Sequence, residues 1–254
     1  MFTIADEGGN VVRRLKAPAK KGVQRLVWNF RYAPAAPAGS IGTLDPENMF
    51  SALETGYLAM PGNYTVAMSK FEDGVYSELV PPQYFKCIPL NNATLAATDK
   101  KEYDQFCKKI SELRRVAGGV GQMNGDLRNK ITQIKSVVLD APKVPLETHN
   151  QIYALEQRLE KLNRQLSGDA SLARREFETA PSLYNRLFSI QGNVWSSTAA
   201  PSPAQKYNYD IVAKQIGGVI SELKAINADM QKIESALEQA GAPYTPGRVL
   251  EWKN

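Results

Sequence analysis

Residues 202–241 have the sequence SPAQKYNYDIVAKQIGGVISELKAINADMQKIESALEQAG, and this segment decides the fold of the second half of the chain. Its start combines an N-cap residue, Ser202, with Pro203 at the first helical position and Gln205 as the capping-box partner. Apolar residues then recur in steps of four and three. They are Val212, Ile216, Val219, Leu223, Ile226, Met230, Ile233 and Leu237. Gly241 supplies a stop signal. This narrow C-terminal stripe predicts one long helix with a coiled-coil-like seam.

The segment upstream of this helix has the same period. Asp99 and Glu102 fit a capping box, and the apolar pattern behind them predicts a long helix that ends before Pro142. A second helix is predicted from about 146 to 167, with Gly168 as its stop signal. Its heptad positions are Ile152, Leu155, Leu159, Leu162 and Leu166. A shorter helix is predicted over residues 182–191.

The first 90 residues have the two-residue period of strands, interrupted by turn signals. Turns are indicated at residues 6–10, DEGGN, and 72–74, EDG. Leu26, Trp28 and Phe30 fall on one face of a candidate strand, and we predict Trp28 and Phe30 in the core. The other candidate strands are residues 2–4, 11–15, 64–69, 75–76 and 84–88. Short strands with this punctuation predict an antiparallel immunoglobulin-like β-sandwich.

The change of period divides the chain into regions, so the predicted fold class is α+β with more than one domain. Residues 1–92 are predicted as the sandwich. Its long loop at 32–60, rich in Pro, Ala and Gly, is either a partner-contacting loop or a flexible insertion. Residues 98–242 are predicted as an antiparallel bundle of long helices, with self-association through a seam as the alternative. A tail follows at 243–254.

Composition excludes some partner classes. The chain is 43% hydrophobic and 22% charged, with a net charge of +5 and no block of like charge, so no nucleic-acid partner is predicted. No apolar run approaches the roughly 20 residues of a membrane span. The N-terminus lacks the pattern of a secretion signal, which fits either a cytoplasmic protein or an expressed fragment. Cys87 and Cys107 are either two separately buried thiols, which we favour, or one disulfide.

The sequence offers no recognisable catalytic or metal-binding pattern. His149 is the single histidine and has no cysteine nearby in the sequence, whereas a zinc site needs three or four ligands at recognisable spacing. No nucleophile-elbow motif is present that could use His149 as a base. The carboxylates are spread over solvated helix faces and a loop at 168–181. We therefore predict no catalytic residue, no cofactor-binding residue, no metal ligand and no cofactor.

A glycine-rich run superficially resembles a phosphate-binding loop. Gly118, Gly119 and Gly121, with Gly125 beyond them, follow a helical pattern rather than a strand, and no Lys-Ser/Thr pair comes after them. Glycine costs a helix about 1 kcal/mol relative to alanine. We therefore predict that these glycines allow another helix to approach closely or that they kink the helix.

Three short motifs carry a family resemblance. Residues 2–15 (FTIADEGGNVVRRL), 21–29 (KGVQRLVWN) and 61–66 (PGNYTV) form a pattern of strand, Asp-x-x-Gly turn, Gly before a Trp strand, and Pro-Gly-x-Tyr. This pattern resembles the immunoglobulin-like domain first described in flagellar hook-cap proteins. Asn29 stands where that domain usually has Asp.

The order of the segments suggests a more specific family. With LSGD at 166–169 and AGAPYTPGR at 240–248, the whole chain is similar to the C-terminal region of bacterial sortilin-like, BNR-repeat propeller proteins. These proteins are often labelled glycosyl hydrolases and are common in Bacteroidetes. The resemblance implies a propeller that precedes this region, performs any catalysis, and belongs to an exported protein. The propeller's Asp-box signature is absent here, so no functional residue is carried over.

The leading functional expectation is therefore a non-catalytic structural and interaction module at the C-terminus of an exported propeller protein, which would be its main partner. An alternative is an accessory part of a glycan-active enzyme, with loop 32–60 and tail residues such as Trp252 at the rim of a site completed by the propeller. A further alternative is a helical adaptor that forms a homodimer through its last helix or docks another protein.

Overall fold

The N-terminal part of the chain forms an antiparallel sheet and the remainder forms helices, so the α+β class is confirmed. The computed structural model describes residues 1–38, 55–91, 93 and 95–248. The strands are β1 Phe2–Asp6, β2 Val11–Leu15, β3 Gly62–Glu72 and β4 Val75–Cys87. The helices are α1 Lys100–Leu139, α2 Leu146–Ser167, α3 Ala170–Ala173, α4 Leu183–Trp195 and α5 Pro203–Gln239.

The chain divides into two compact units. Unit 1 holds residues 1–115 and 191–202, and unit 2 holds residues 116–190 and those from 203 on. The predicted domain limits at 92, 98 and 242 remain predictions.

The sheet of unit 1 has the strand order β2-β1-β3-β4, with every neighbouring pair antiparallel. The predicted turn at 72–74 is confirmed, because Asp73 and Gly74 have φ values of 51° and 81° and join β3 to β4. The predicted turn at 6–10 is confirmed as well. There the Asp6 carboxylate accepts hydrogen bonds from the backbone amides of Gly8 and Asn10.

The two strands predicted at 75–76 and 84–88 are one strand, β4. Pro81 and Pro82 lie between them, and proline cannot donate to a strand ladder. β4 is an edge strand, and its pairing with β3 shifts register between Val66 and Met68, opposite these prolines. An edge position with a bulge tolerates proline, so the strand continues through both residues.

The strand predicted through Leu26, Trp28 and Phe30 is not formed. Phe30 has a φ of 58° and is 46% exposed, so its predicted place in the core is wrong. The positive φ breaks the alternation, and only an isolated bridge joins Arg31 to Leu58. Trp28 is partly buried and packs against the core cluster of unit 1. That cluster is Ile4, Val12, Ala59 and Tyr64. Among the described residues the four strands form a single sheet, with no second sheet to make a sandwich.

Aromatic residues connect the end of α4 to other parts of unit 1. The Tyr32 and Tyr57 rings stack with centroids 4.3 Å apart, and the centroids of the Tyr57 and Trp195 rings are 6.4 Å apart. The Arg31 guanidinium donates hydrogen bonds to the carbonyl oxygens of Gly56 and Trp195. Burial is the main cause that raises the pKa of Tyr57 above its ordinary value. These contacts therefore hold a dry aromatic cluster in unit 1.

Both cysteines are free thiols. The two cysteines are therefore separate thiols, as expected. Cys107 is fully buried as predicted, whereas Cys87 is only partly buried. Burial raises the pKa of Cys107 to about 11, which keeps the thiol protonated at neutral pH.

The helix bounds follow the sequence signals closely. Asp99 caps α1 by accepting from the backbone amides of Lys101 and Glu102, and α2 spans the predicted 146–167. All eight residues of the C-terminal stripe are buried on α5 within this one chain. The segment 168–181, interpreted as a loop, contains the short helix α3, whose N-cap is Asp169.

Cross-helix pairs in unit 2 fix the relative direction of its long helices. Arg158 of α2 contacts both Glu222 and Asp229 of α5, at 2.7 Å and 2.8 Å. Lys135 of α1 contacts Glu156 of α2 at 2.9 Å. Further along, Asn124 of α1 pairs with Asn163 of α2, and Gln165 of α2 pairs with Gln215 of α5. As the residue number rises along α2, that of the partner falls along α1 and along α5. Helix α2 is therefore antiparallel to both.

The glycine run lies inside an unbroken α1, so the predicted break is absent, and the predicted close approach is present at one of the glycines. A Cβ atom on Gly121 would lie 2.7 Å from the Tyr184 hydroxyl of α4, which donates to the Ala117 carbonyl at 3.2 Å. At Gly119 a Cβ atom would meet nothing within 4 Å. Only one of these two glycines is therefore required by packing.

The two glycines should respond oppositely to alanine. Gly119→Ala should raise the free energy of unfolding by up to about 1 kcal/mol, because alanine favours the helix and the site is open. Gly121→Ala should leave the protein no more stable than wild type, because the new methyl group displaces the Tyr184 hydroxyl. Urea unfolding followed by circular dichroism measures both. Equal stabilisation by the two substitutions would contradict the close approach.

Candidate functional site

The residues considered for catalysis are dispersed. His149 is a partly buried residue in the first turns of α2. Across the described residues no group of three or more His, Cys, Asp or Glu side chains could hold a metal ion. None of the helices in that part of the chain is long and apolar enough to cross a membrane. Trp252 and residues 39–54 of the predicted loop lie outside the described residues.

The sheet of unit 1 has an exposed aromatic face. Alternation along β3 puts Phe71 on the face opposite to buried Tyr64, and we call this the outer face. Phe71, Tyr76 and Tyr84 on this face are 60%, 51% and 86% exposed. The first two are cross-strand partners with ring centroids 4.5 Å apart. Tyr84 lies opposite Thr65, further along β3, so the contiguous patch is the Phe71–Tyr76 pair, and exposed ring surface of this kind is typical of an interaction surface.

Unit 2 contains a cleft lined by carboxamides, which we call the asparagine cleft. Its first cavity, of about 670 Å³, lies between the end of α2, α3, α4 and the start of α5. The polar lining residues are Asn163, Ser167, Asp169, Thr179, Ser182, Asn185, Arg186, Ser189 and Asn208. The volume falls within the range of about 300 to 1,000 Å³ that is usual for small-molecule sites.

A second cavity of about 480 Å³ adjoins the first, because Asn163 and Ser167 line both. Its walls come from α1, α2 and α4. The other residues that line it are Gly121, Asn124, Gly125, Arg128, Asn129, Thr132 and Tyr184. The asparagine cleft therefore consists of two neighbouring cavities, both within unit 2.

Asn124 is one of the residues that line the second cavity. It is only 6% exposed, and its Nδ2 atom is 3.4 Å from Oδ1 of Asn163. Its own Oδ1 atom is buried and has no hydrogen-bond partner within the described part of the chain. Burial of an unpaired carboxamide oxygen is unfavourable, because such an atom loses water without replacing it.

The first cavity has a fixed guanidinium. Arg186 donates from Nε to the Pro181 carbonyl at 3.1 Å and from Nη1 to Oδ1 of Asn208 at 2.5 Å. Asn208 in turn donates to the Ala204 carbonyl at 2.9 Å. These bonds hold both side chains in place on the cavity wall.

Charges along the cleft are accompanied by opposite charges. Arg128 is 3.9 Å from a carboxylate oxygen of Glu160. Asp169 accepts hydrogen bonds from the Ser171 hydroxyl and backbone amide, and these bonds hold the pKa of the Asp169 carboxyl below its ordinary value. The Asp169 charge partly balances that of Arg186, which lines the same cavity. The cleft is therefore polar without being strongly charged.

Sequence reasoning did not identify this cleft. Its asparagines come from four helices and share no spacing. Gly125, which follows Asn124 on α1, also lines the second cavity, and a Cβ atom there would meet nothing within 4 Å.

Comparison with known protein families, with curated proteins and with solved structures found no match to this chain.

Proposed function

We propose that the chain is a non-catalytic structural and interaction module at the C-terminus of an exported propeller protein. The outer face of the sheet is the observation that carries this proposal. Phe71, Tyr76 and Tyr84 expose ring surface that a neighbouring domain would cover. The resemblance of residues 2–15, 21–29 and 61–66 to an immunoglobulin-like module supports the propeller as that neighbour. In the proposed arrangement, further strands or the propeller itself complete a sandwich on the outer face.

In this proposal the helices form an antiparallel bundle that acts as a spacer or docking element. Support comes from the burial of the C-terminal stripe within a single chain, since Leu223, Ile226, Met230 and Leu237 are each 0% exposed. Because the same chain covers this seam, no homodimer is needed to bury it. Light scattering after size exclusion should therefore give one monomeric mass over a wide range of loading concentration.

Hydroxyl-radical footprinting tests the docking face. We compare the recombinant chain with the protein isolated from the cells that produce it. Tyr76 and Tyr84 should be labelled in the recombinant chain and protected in the native protein, whereas Tyr153 of α2, 62% exposed, serves as the control. Peptide mapping of the native protein also reveals whether a propeller precedes residue 1. Equal labelling of Tyr76 and Tyr84 in both samples would count against the proposal.

A second candidate is an accessory part of a glycan-active enzyme whose active site lies in the propeller. The asparagine cleft favours it, because carboxamides in a cavity of this size suit a hydrogen-bonding ligand.

A further inference from the structure

We propose that Asn124–Gly125 is a latent deamidation site, which is closed while unit 2 is folded and reacts when α1 opens there. The chain has two pairs in which aspartate or asparagine precedes glycine, and they are Asp73–Gly74 and Asn124–Gly125. Such pairs form a succinimide readily, because glycine has no side chain to hinder attack by its backbone nitrogen. The inference does not depend on the docking face, because Asn124, Gly125 and Asn163 all lie in unit 2.

The reaction needs only these two residues and water. The backbone nitrogen of Gly125 attacks Cγ of Asn124 and forms a C–N bond. The carboxamide nitrogen leaves as ammonia and takes with it the proton of the Gly125 amide. Water then adds to one of the two carbonyl carbons of the succinimide and breaks the bond from that carbon to nitrogen. The products are aspartate and isoaspartate, and in isoaspartate the main chain runs through the former side chain.

Helix geometry closes the site in the folded chain. The pair lies inside α1, which runs without a break from Lys100 to Leu139. In an α-helix an amide donates to the carbonyl oxygen four residues earlier, which for Gly125 is that of Gly121. The five-membered succinimide ring requires a backbone ψ at Asn124 that an α-helix excludes. Ring closure therefore requires that this part of α1 first lose its helical hydrogen bonds.

Packing closes the site a second time. Asn124 is 6% exposed, and its Nδ2 atom lies 3.4 Å from Oδ1 of Asn163 on α2. The carboxamide is thus held between two helices and is largely shielded from the water that the reaction consumes. Asp73 and Gly74 differ in both respects, because they are exposed and form the turn between β3 and β4.

Reaction at this site makes the opening of α1 in unit 2 permanent. Isoaspartate adds a methylene group to the main chain, so the hydrogen-bond ladder of α1 cannot re-form in register across residue 124. Both products also remove the Nδ2 donor that faces Asn163. A chain that opens and reacts therefore stays marked by its changed mass, and its isoaspartate form stays open.

Incubation of the full chain at neutral pH, in buffer and in unfolding urea, tests the inference. Peptide mapping by mass spectrometry measures deamidation at Asn124 and isoaspartate at Asp73. If only the open state reacts, the rate at Asn124 should be lower in buffer than in urea by about tenfold or more. Urea should change the rate at Asp73 far less, because that turn is exposed in the folded chain as well. Equal rates at Asn124 in buffer and in urea would overturn the inference.

Gly125→Ala tests the chemistry. A Cβ atom at this position would meet nothing within 4 Å, so the variant should fold as wild type does. In urea it should slow the deamidation of Asn124 by about tenfold or more, because the added methyl group hinders attack by the backbone nitrogen. An unchanged rate in urea would mean that the reaction does not pass through the succinimide, and it would contradict the inference.

Leu223→Ala tests the coupling to the opening of unit 2. Leu223 is buried on α5, so its truncation should destabilise unit 2 and raise the rate at Asn124 in buffer by about tenfold or more. Lys224→Ala, at the exposed neighbouring position, should leave that rate unchanged. If the urea midpoint of Leu223→Ala falls while its rate in buffer stays at the wild-type value, the inference is wrong, whichever way the footprinting of the docking face turns out.

Discussion

Leu223→Ala should lower the free energy of unfolding by about 2 to 5 kcal/mol. Leu223 is at the centre of the C-terminal stripe and is 0% exposed. Truncation to alanine removes three buried carbon atoms and leaves a cavity between close-packed helices, which relax only partly. Urea unfolding, followed by far-ultraviolet circular dichroism, gives the change in free energy from the shift of the midpoint.

Lys224→Ala is the control for Leu223→Ala. Lys224 is the next residue of the same helix and is exposed, so its truncation should change stability by no more than about 0.5 kcal/mol. Similar stability of the two variants would mean that the stripe is not a core. That result would revive the hypothesis of a helical adaptor that associates through α5.

Tyr103→Ala should cost about 3 to 5 kcal/mol, because a large ring is removed from a site that is 2% exposed. Tyr103 belongs to the first turn of α1, and its hydroxyl lies 2.9 Å from the Val194 carbonyl oxygen and 2.8 Å from that of Ser197. One side chain thereby joins α1 to the end of α4 within unit 1. Burial is the largest cause that raises the pKa of this tyrosine, which keeps the hydroxyl protonated as a donor.

Tyr103→Phe separates the ring from the hydroxyl. It should cost about 1 to 2 kcal/mol, since the ring stays and the two carbonyl oxygens lose their donor. Tyr153→Ala, at a position 62% exposed on α2, should have an effect within about 0.5 kcal/mol. Thermal unfolding of the four proteins in one buffer makes the comparison. A phenylalanine variant as unstable as the alanine variant would assign the whole effect to the hydrogen bonds.

Helices were the part of the fold that sequence reasoning predicted best. The sequence signals for helices are local, because each acts within a few residues. They are the caps at Asp99 and Ser202, the stop signals at Gly168 and Gly241, and the apolar period of three to four residues. The bounds of α2 agree with the prediction, and every residue of the C-terminal stripe is buried. Burial of a stripe is predictable because a helix has one apolar face, whatever element covers it.

Strands were predicted less well, because a strand exists only through its partners. Phe30 alternates correctly with Trp28 in the sequence, yet its φ of 58° takes the backbone out of any ladder. Two separate strands were predicted at 75–76 and 84–88, yet an edge position and a bulge carry β4 through Pro81 and Pro82 between them. Neither outcome can be derived from the local pattern, because both depend on which strand pairs with which.

The sequence by itself determined the α+β order, the two hairpin turns and the extent and buried face of the long helices, because all of these depend on local backbone preference and apolar period. Only the tertiary structure decided that α2 is antiparallel to α1 and α5, that Gly121 contacts Tyr184, and that asparagines from four helices line one cleft. The physical reason is distance along the chain. Asn124 and Asn163 are 39 residues apart, and only packing between helices brings their carboxamides together.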